Sequence, residues 1–187
     1  MIPHGQIYPY PSPNFYVSSD PIKAICLHGT AGSGRSALAT LTDPRPDNPD
    51  ARVSSNYLVF KNGEIYFLVD HRRGRRAWAN GPIKKPDKNI KWLAALAAAG
   101  GFANTSTISI EHEATDAEMK RHAPMTDAQF NSSTWLTLTL LRELGLPISD
   151  QTVIGHRQVN SVDKFYCPGV IDVPAYIDVL KLRANML

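Results

Sequence analysis

The chain has 187 residues, a formal net charge of +3 and a composition that is 43% hydrophobic and 20% charged. This length suits one domain with a sizeable core, and the composition is ordinary for a soluble globular protein. No apolar run approaches the roughly 20 residues that a membrane-spanning helix requires, which excludes that class of protein. The mild positive charge favours anionic partners, such as cell-wall polymers or nucleic acid, without choosing between them.

The first 20 residues are rich in proline and predict an extended arm, residues 1–20, that wraps or leads into a domain of residues 21–187. The arm lacks a basic region followed by an apolar stretch, so it does not resemble a secretory signal. We therefore expect a chain that is first held in a cytoplasm. In that reducing compartment Cys26 and Cys167 favour a metal-binding or core role over a disulfide framework.

The first half of the domain predicts strands around one short helix. Residues 22–28 form a short apolar run that indicates a buried strand, and a helix is expected around 36–41. Two β-rich runs, 56–60 and 64–69, flank an Asn-Gly pair, which predicts a hairpin. A basic loop, 71–76, follows.

The second half predicts helices around one further strand. Residues 89–99 are rich in Ala and Leu and predict a helix, and residues 105–113 alternate as a strand does. Thr126 and Gln129 have the spacing of a capping box at the start of a long helix, and a last helix begins near Val173. This mixture predicts an α/β (α+β) single domain, in which helices flank a central mixed β-sheet.

The positions of four residues in the sequence indicate a metal-dependent reaction. His28 ends the first buried strand, and His156 and Cys167 lie eleven positions apart in a segment that can fold back on itself. Zinc prefers imidazole and thiolate ligands, and its catalytic sites use three protein ligands and a water. Strand alternation places Glu111 on the face opposite Ile110, so its carboxylate can face a cleft.

Seven sequence motifs in a fixed order carry a family resemblance. They are ICLHGTAG, VSSNYLVFKNGEIYFLVD, RAW, TISIEHE, TDAQF, VIGHRQV and CPG, and with their surroundings they span residues 22 to about 180. Singly each is weak, but together they resemble the zinc-dependent N-acetylmuramoyl-L-alanine amidases. That family includes phage endolysins, cytosolic recycling amidases and animal peptidoglycan recognition proteins. The resemblance implies the family fold and hydrolysis of the amide bond between N-acetylmuramic acid and L-alanine in peptidoglycan.

The resemblance also implies roles for individual residues. It implies a Zn²⁺ site formed by His28, His156 and Cys167, with Glu111 as the catalytic acid and base and Lys164 as a polarising group. The expected substrate contacts are Asn56, Arg76 and Trp78.

Two positions depart from the family pattern. Lys164 lies three residues before Cys167, whereas the family lysine often lies two before the third ligand. Ala79 follows Trp78 where many relatives carry a histidine. The loop before Cys167 is therefore one residue longer, and one polar substrate contact is absent or supplied elsewhere.

Several alternatives stay open at the level of single residues. The four arginines of 71–76 are either a solvated loop or a contact to carboxylates of the wall. Trp78 is either a core residue or a platform for a sugar ring. Cys26 lies on the strand face of His28 and can approach the metal, but a buried core cysteine is favoured. His112 points away from Glu111 and is expected in the core or at the surface.

Alternatives also stay open for the function. The rivals are a peptidoglycan-binding module without activity and a cytosolic amidase that recycles soluble anhydromuropeptides. We expect peptidoglycan as the partner, neither nucleic acid nor membrane, and a monomer; no stacking aromatics interrupt the arginine run as nucleic-acid binding would favour. The favoured setting is a phage-type lysis enzyme that is held in the host cytoplasm before it acts on the wall.

Overall fold

The fold is organised around a mixed β-sheet, in a computed structural model that describes residues 4–45 and 47–186. The strands are β1 (Ile7–Pro9), β2 (Phe15–Val17), β3 (Ala24–Ala31), β4 (Tyr57–Val59), β5 (Ile65–Phe67), β6 (Arg75–Ala77), β7 (Thr107–Thr115) and β8 (Val153–Gly155). Six of them form one sheet in the order β1-β5-β4-β7-β3-β8, while β2 and β6 form a separate pair. In the large sheet β4 and β5 run antiparallel, as the predicted hairpin requires, and the other neighbours run parallel.

Helices cover both faces of this sheet. They are α1 (Gly34–Thr42), α2 (Lys91–Ala98), α3 (Asp116–Lys120), α4 (Asp127–Glu143), α5 (His156–Val159) and α6 (Val173–Ala184). No helix among the described residues is long and apolar enough to cross a membrane. The expected single domain with a central mixed sheet flanked by helices is confirmed. The helices α3 and α5 are additions that the sequence analysis did not predict.

The start of α4 differs from its prediction in one bond. The Thr126 side chain accepts from the backbone N–H of Gln129, as a helix cap does. The Gln129 side chain does not reach back to the cap; it donates to the carbonyls of Val59 and Glu113 and ties the helix to the sheet. A reciprocal capping box is present instead at the start of α3, between Thr115 and Glu118.

The core is divided by the sheet into two layers. Along β3, Ile25 and Leu27 belong to the layer under α4 and α6, where Leu180 is also fully buried. Cys26 points to the other face, into a cluster with Leu93 of α2, and it is fully buried. The alternation expected for the strand is therefore observed, and Cys26 is a core residue with a free thiol.

The N-terminal segment wraps onto the domain and pairs with its strands, which agrees with one of the two predicted alternatives. Within it, β1 pairs in parallel with β5 at the edge of the sheet, and β2 pairs with β6. The buried Asn14 donates to the carbonyls of Asp43 and Val53. A boundary at residue 20 consequently separates no structural unit in the described residues; residues 1–3 of the expected arm and Leu187 of the expected domain lie outside them.

Candidate metal centre and catalytic groove

The register of two parallel strands brings the first two site residues together. His28 on β3 is paired with Glu111 on β7, so both side chains project from the same face of the sheet. Nδ1 of His28 lies 3.8 Å from Oε1 of Glu111. Both residues lie near the middle of their strands, which continue to Ala31 and Thr115.

The other two site residues arrive through the chain after β8. Since β8 pairs with β3 and α5 begins at His156, Nδ1 of His156 lies 2.9 Å from Nδ1 of His28. The backbone N–H of Arg157 donates to the carbonyl of Cys167, which folds the intervening loop back to this point. The Cys167 Sγ accepts from the N–H of Gly29 at 3.4 Å.

The donor atoms of this cluster fit a zinc ion. The three atoms of His28, His156 and Cys167 all lie within 4.8 Å of one another, and the three residues are buried. Ligand atoms in tetrahedral zinc sites lie roughly 3.3–3.8 Å apart, given the usual zinc–ligand bond lengths. Nε2 of His28 and Oε2 of Glu111 are buried and have no hydrogen-bond partner among the described residues. The geometry and the donor chemistry therefore both suit the metal.

Both imidazoles are held in the neutral form that binds metals. Nε2 of His156 donates to the carbonyl of Asn80 at 2.8 Å, which leaves the lone pair of Nδ1 facing His28. Burial lowers the pKa of His156 to about 4, with a further lowering by the charge of Lys164. Burial also lowers the pKa of His28 well below its ordinary value, and the neighbouring His156 lowers it further.

The two acidic groups of the site are strongly affected by burial. Burial raises the pKa of the Cys167 thiol to about 12, against the opposing effects of the Gly29 N–H and Lys164. Metal binding here must therefore release the thiol proton. Burial raises the pKa of Glu111 to about 7, and Lys164 opposes this rise. A carboxyl group with such a pKa can gain and lose a proton near neutral pH, as a general acid and base must.

A surface groove of about 670 Å³ opens directly over this cluster. Glu111, His156 and Cys167 line it, and α1 contributes part of one wall. Trp78 lines the groove with 40% of its surface exposed and packs against Tyr16 at a ring distance of 4.4 Å. It is thus placed to contact a bound molecule.

The opposite side of the groove includes the loop before Cys167. Lys164 is exposed there, and its charge acts on both Glu111 and Cys167. Phe165 and Tyr166 lie beside it, 65% and 43% exposed, and both line the groove. None of the sequence motifs includes these two aromatics. The signal that could have indicated them is a pair of large aromatic residues in a polar loop next to Cys167.

The structure does not bring Asn56 and Arg76 to the groove. Asn56 is fully buried, and its side chain donates to the carbonyl of Val69 and accepts from the N–H of Ser109. Arg76 is 5% exposed and donates to the carbonyls of Asp20 and Thr105. Their polar groups satisfy buried backbone atoms, so both residues stabilise the fold and the expectation of direct substrate contact is corrected.

The remaining arginines of the basic loop are also engaged within the protein. Arg72 forms a two-pronged pair with Glu143, with distances of 2.7 and 2.8 Å. Arg73 pairs with Asp70, and the Arg75 guanidinium lies over the ring of Phe15. These contacts agree with an ordinary surface loop and provide no support for a role in binding wall carboxylates.

The chain belongs to the N-acetylmuramoyl-L-alanine amidase family, whose model matches residues 18–170. No curated protein matches the sequence. Among solved structures, a selenomethionine derivative of AmpD superposes with a TM-score of 0.67 at 23% identity, covering 94% of each chain. PlyL superposes with a TM-score of 0.65 at 18% identity, covering 94% of this chain and 97% of its own.

An enzyme solved with a ligand has the same fold. The N-acetylmuramyl-L-alanine amidase AmiD from E. coli, in complex with the substrate anhydro-N-acetylmuramic acid-L-Ala-D-gamma-Glu-L-Lys, superposes with a TM-score of 0.50 at 24% identity. The match covers 76% of this chain and 51% of that one. At these identities the similarities establish the shared fold.

Proposed function

We propose that this protein hydrolyses the amide bond between N-acetylmuramic acid and L-alanine in peptidoglycan, with one Zn²⁺ bound by His28, His156 and Cys167. The observation that carries the proposal is the convergence of these three donor atoms within 4.8 Å, beside Glu111 and under a surface groove. A peptidoglycan-binding module without activity requires neither an intact ligand set nor a buried carboxyl group next to it.

The protein side chains then have distinct roles in the reaction. A zinc ion at this position supplies Lewis-acid activation of water and of the substrate carbonyl. Glu111 removes a proton from the attacking water and delivers it to the departing amine of L-alanine, because its carboxyl group lies beside His28 and lines the groove. Lys164 adds positive charge at the groove, where negative charge develops on the carbonyl oxygen.

The groove walls support an assignment of the substrate-binding surfaces. Trp78 has the exposed aromatic face that can pack on the apolar face of a sugar ring, and Tyr16 holds it in place. Phe165 and Tyr166 contribute a second apolar surface near Lys164. A glycopeptide, which combines sugar, amide and carboxylate groups, matches this combination of apolar surface and positive charge.

We further propose intact cell wall as the substrate, in a phage-type lysis role in which the enzyme accumulates in the host cytoplasm before it reaches the wall. The alternative is an amidase for soluble anhydromuropeptides. The folds of AmpD and PlyL superpose on this chain almost equally well, so fold similarity alone does not favour either relative.

Digestion of defined peptidoglycan, followed by mass analysis of the products, tests the proposal. We expect free peptides that begin with an L-alanine amine and glycan strands without peptides. Cleavage at a glycosidic or peptide bond, or an absence of products with zinc-loaded protein, would contradict it. The same assay on soluble anhydromuropeptides compares the two substrate classes, and faster turnover of the soluble fragments would replace the lysis role with recycling.

A further inference from the structure

A buried chain of hydrogen bonds ends on the backbone of one proposed zinc ligand. It consists of His112 on β7, Ser133 and Thr137 on α4, and Tyr176 on α6, each at most 2% exposed. None of these side chains lines the groove, and the proposed reaction uses none of them. This series of hydrogen bonds reaches the site from the far side of the sheet and ends at the carbonyl of His28.

The direction of every bond in this chain follows from its last acceptor. The His28 carbonyl can only accept, so Nδ1 of His112 donates to it at 2.8 Å. A buried imidazole without a charged partner is neutral, so its Nε2 accepts from the Ser133 hydroxyl at 2.7 Å. Ser133 accepts from Tyr176 at 2.6 Å, and Tyr176 accepts from Thr137 at 2.9 Å. All the hydrogen bonds of this network therefore run in one direction and each hydroxyl and ring nitrogen has a partner, which favours one rigid arrangement.

The two histidine ligands are oriented in different ways. The ring of His156 is fixed through its second nitrogen, which donates to the carbonyl of Asn80. The second nitrogen of His28 has no partner among the described residues. Metal-binding histidines normally gain their orientation from such a bond. The orientation of the His28 ring consequently depends on the position of its own backbone.

That backbone lies next to an irregular part of β3. The pairing of β3 with β7 shifts register between Gly29 and Ala31, and Ala31 has a φ of 56°. Such irregularities bend a strand and interrupt its regular bonds. The bond from His112 attaches the carbonyl of His28 directly before the irregular segment.

We propose that His112 is a positioning residue for the metal centre, which holds the backbone of His28 so that its imidazole faces that of His156. The inference rests on the proposed function, because it requires a metal at this site. Without the bond from His112, the His28 carbonyl loses one restraint directly before the irregular segment, and a small shift there moves Nδ1 of His28 from the position that a shared ion needs. Ser133 acts through His112, and its contribution is correspondingly smaller.

The test measures the zinc dissociation constant of the metal-free protein by competition with a coloured chelator. We expect His112→Leu to weaken zinc binding about 10-fold or more, as is usual when an outer partner of a metal ligand is removed. Ser133→Ala should weaken it by a smaller factor. His112→Asn, whose amide can donate to the His28 carbonyl, should recover part of the affinity.

Ser132→Ala is the matched control. Ser132 is also a fully buried serine of α4, but its hydroxyl contacts the backbone of Gly63 and Gly5 and not His112. Its loss should lower the unfolding midpoint without changing the zinc dissociation constant. The visible spectrum of cobalt-substituted protein provides a second readout, which should change in His112→Leu and stay unchanged in Ser132→Ala.

Three outcomes would count against the inference. Zinc binding by His112→Leu that is as tight as in the wild type would overturn it while leaving the proposed function intact. If His112→Leu does not fold, equal zinc constants for Ser133→Ala and Ser132→Ala would overturn it instead. A wild-type protein that binds no zinc would overturn the proposed function and this inference together.

Discussion

Glu111 and His28 are paired in register on the adjacent parallel strands β7 and β3. This pairing sets the 3.8 Å distance between Oε1 of Glu111 and Nδ1 of His28. A slip of one residue would turn the Glu111 side chain to the opposite face of the sheet. The relation between the proposed catalytic carboxyl group of Glu111 and the proposed metal ligand His28 is therefore a property of the sheet and not of a flexible loop. Sites built on such elements are positioned more accurately than sites on loops.

Replacement of Glu111 should separate metal binding from catalysis. We expect Glu111→Gln to retain one zinc per chain and to lose activity by a factor on the order of 10² to 10⁴, the usual contribution of a general acid–base group. Elemental analysis and peptidoglycan hydrolysis measure the two quantities. Glu113→Gln is the control, since Glu113 lies on the same strand face but its carboxylate accepts from the backbone of Lys61. Unchanged turnover in Glu111→Gln would remove this residue from the mechanism.

The two cysteines should respond differently to substitution. Cys167→Ser should reduce the zinc content, because it replaces a proposed thiolate ligand next to the two histidines. Cys26→Ala should keep the zinc and lower the free energy of unfolding by about 1 kcal/mol, because Cys26 packs in the core under α2. Metal analysis and urea denaturation measure these effects. A normal zinc content in Cys167→Ser would refute the ligand assignment.

Lys164 should affect the rate more than the binding of substrate. We expect Lys164→Met to lower kcat by roughly 10², as the loss of one group that stabilises an oxyanion does. Steady-state kinetics on soluble muropeptides measure kcat and KM separately. Lys84→Met is a suitable control, because Lys84 pairs with Asp163 and does not line the groove. Full turnover in Lys164→Met would show that the longer loop has displaced this lysine from the reaction.

Trp78 should contribute mainly to substrate binding. Trp78→Ala removes an aromatic surface in the groove, and we expect KM to rise about 10-fold with a smaller change in kcat. Phe102→Ala is the matched control, since Phe102 is 59% exposed but does not line the groove. The same kinetic assay applies to both variants. An equal KM in the two variants would argue that Trp78 supports the wall of the groove without touching substrate.

The ion pair between Glu118 and Lys61 should make stability depend on pH. The Lys61 ammonium, 2.6 Å away, and the bonds from Thr115 lower the pKa of Glu118 to about 2, below the 4.5 expected in the unfolded chain. The stabilisation is therefore present above pH 4.5 and is lost as the pH falls toward 2. Because the pair is partly exposed, Glu118→Gln should cost about 1 kcal/mol or less at neutral pH.

Urea denaturation of Glu118→Gln and of the wild type, from above pH 4.5 down toward pH 2, measures this dependence. The difference in free energy of unfolding should shrink as the pH falls. Asp178→Asn serves as the control, because Asp178 and its partner Lys181 are more than half exposed and their pairing should contribute little at any pH. A difference that stays constant with pH would mean that Glu118 stabilises the helix start as a neutral group.

The features that could be predicted from the sequence are those with local signals. The Asn-Gly hairpin, the buried strand that carries His28 and the N-cap Thr126 each depend on neighbouring residues. That strand continues to Ala31, past the end predicted at His28. The positions of Asn56 and Arg76 depend on how distant segments pack. The local sequence does not show whether such a polar side chain is buried and bonded to the backbone or is exposed and able to contact substrate.

Other features depend on contacts between distant positions. The pairing of β1 with β5 joins segments that share no sequence pattern, so the sequence alone predicts no strand in the N-terminal residues. His112 and Tyr176 both contact Ser133 from positions 21 and 43 residues away. Each of these polar residues looks unremarkable alone, and only the folded chain shows that they form one network.

The separation of 128 positions between His28 and His156 has a consequence for biosynthesis. An ion held by both residues closes a loop that includes most of the polypeptide, and the entropic cost of such a closure is met only after the intervening strands have assembled. A nascent chain on the ribosome cannot bind the ion until β8 has emerged and joined β3. If the proposed site holds zinc, completion of its ligand set is thus a late step of maturation.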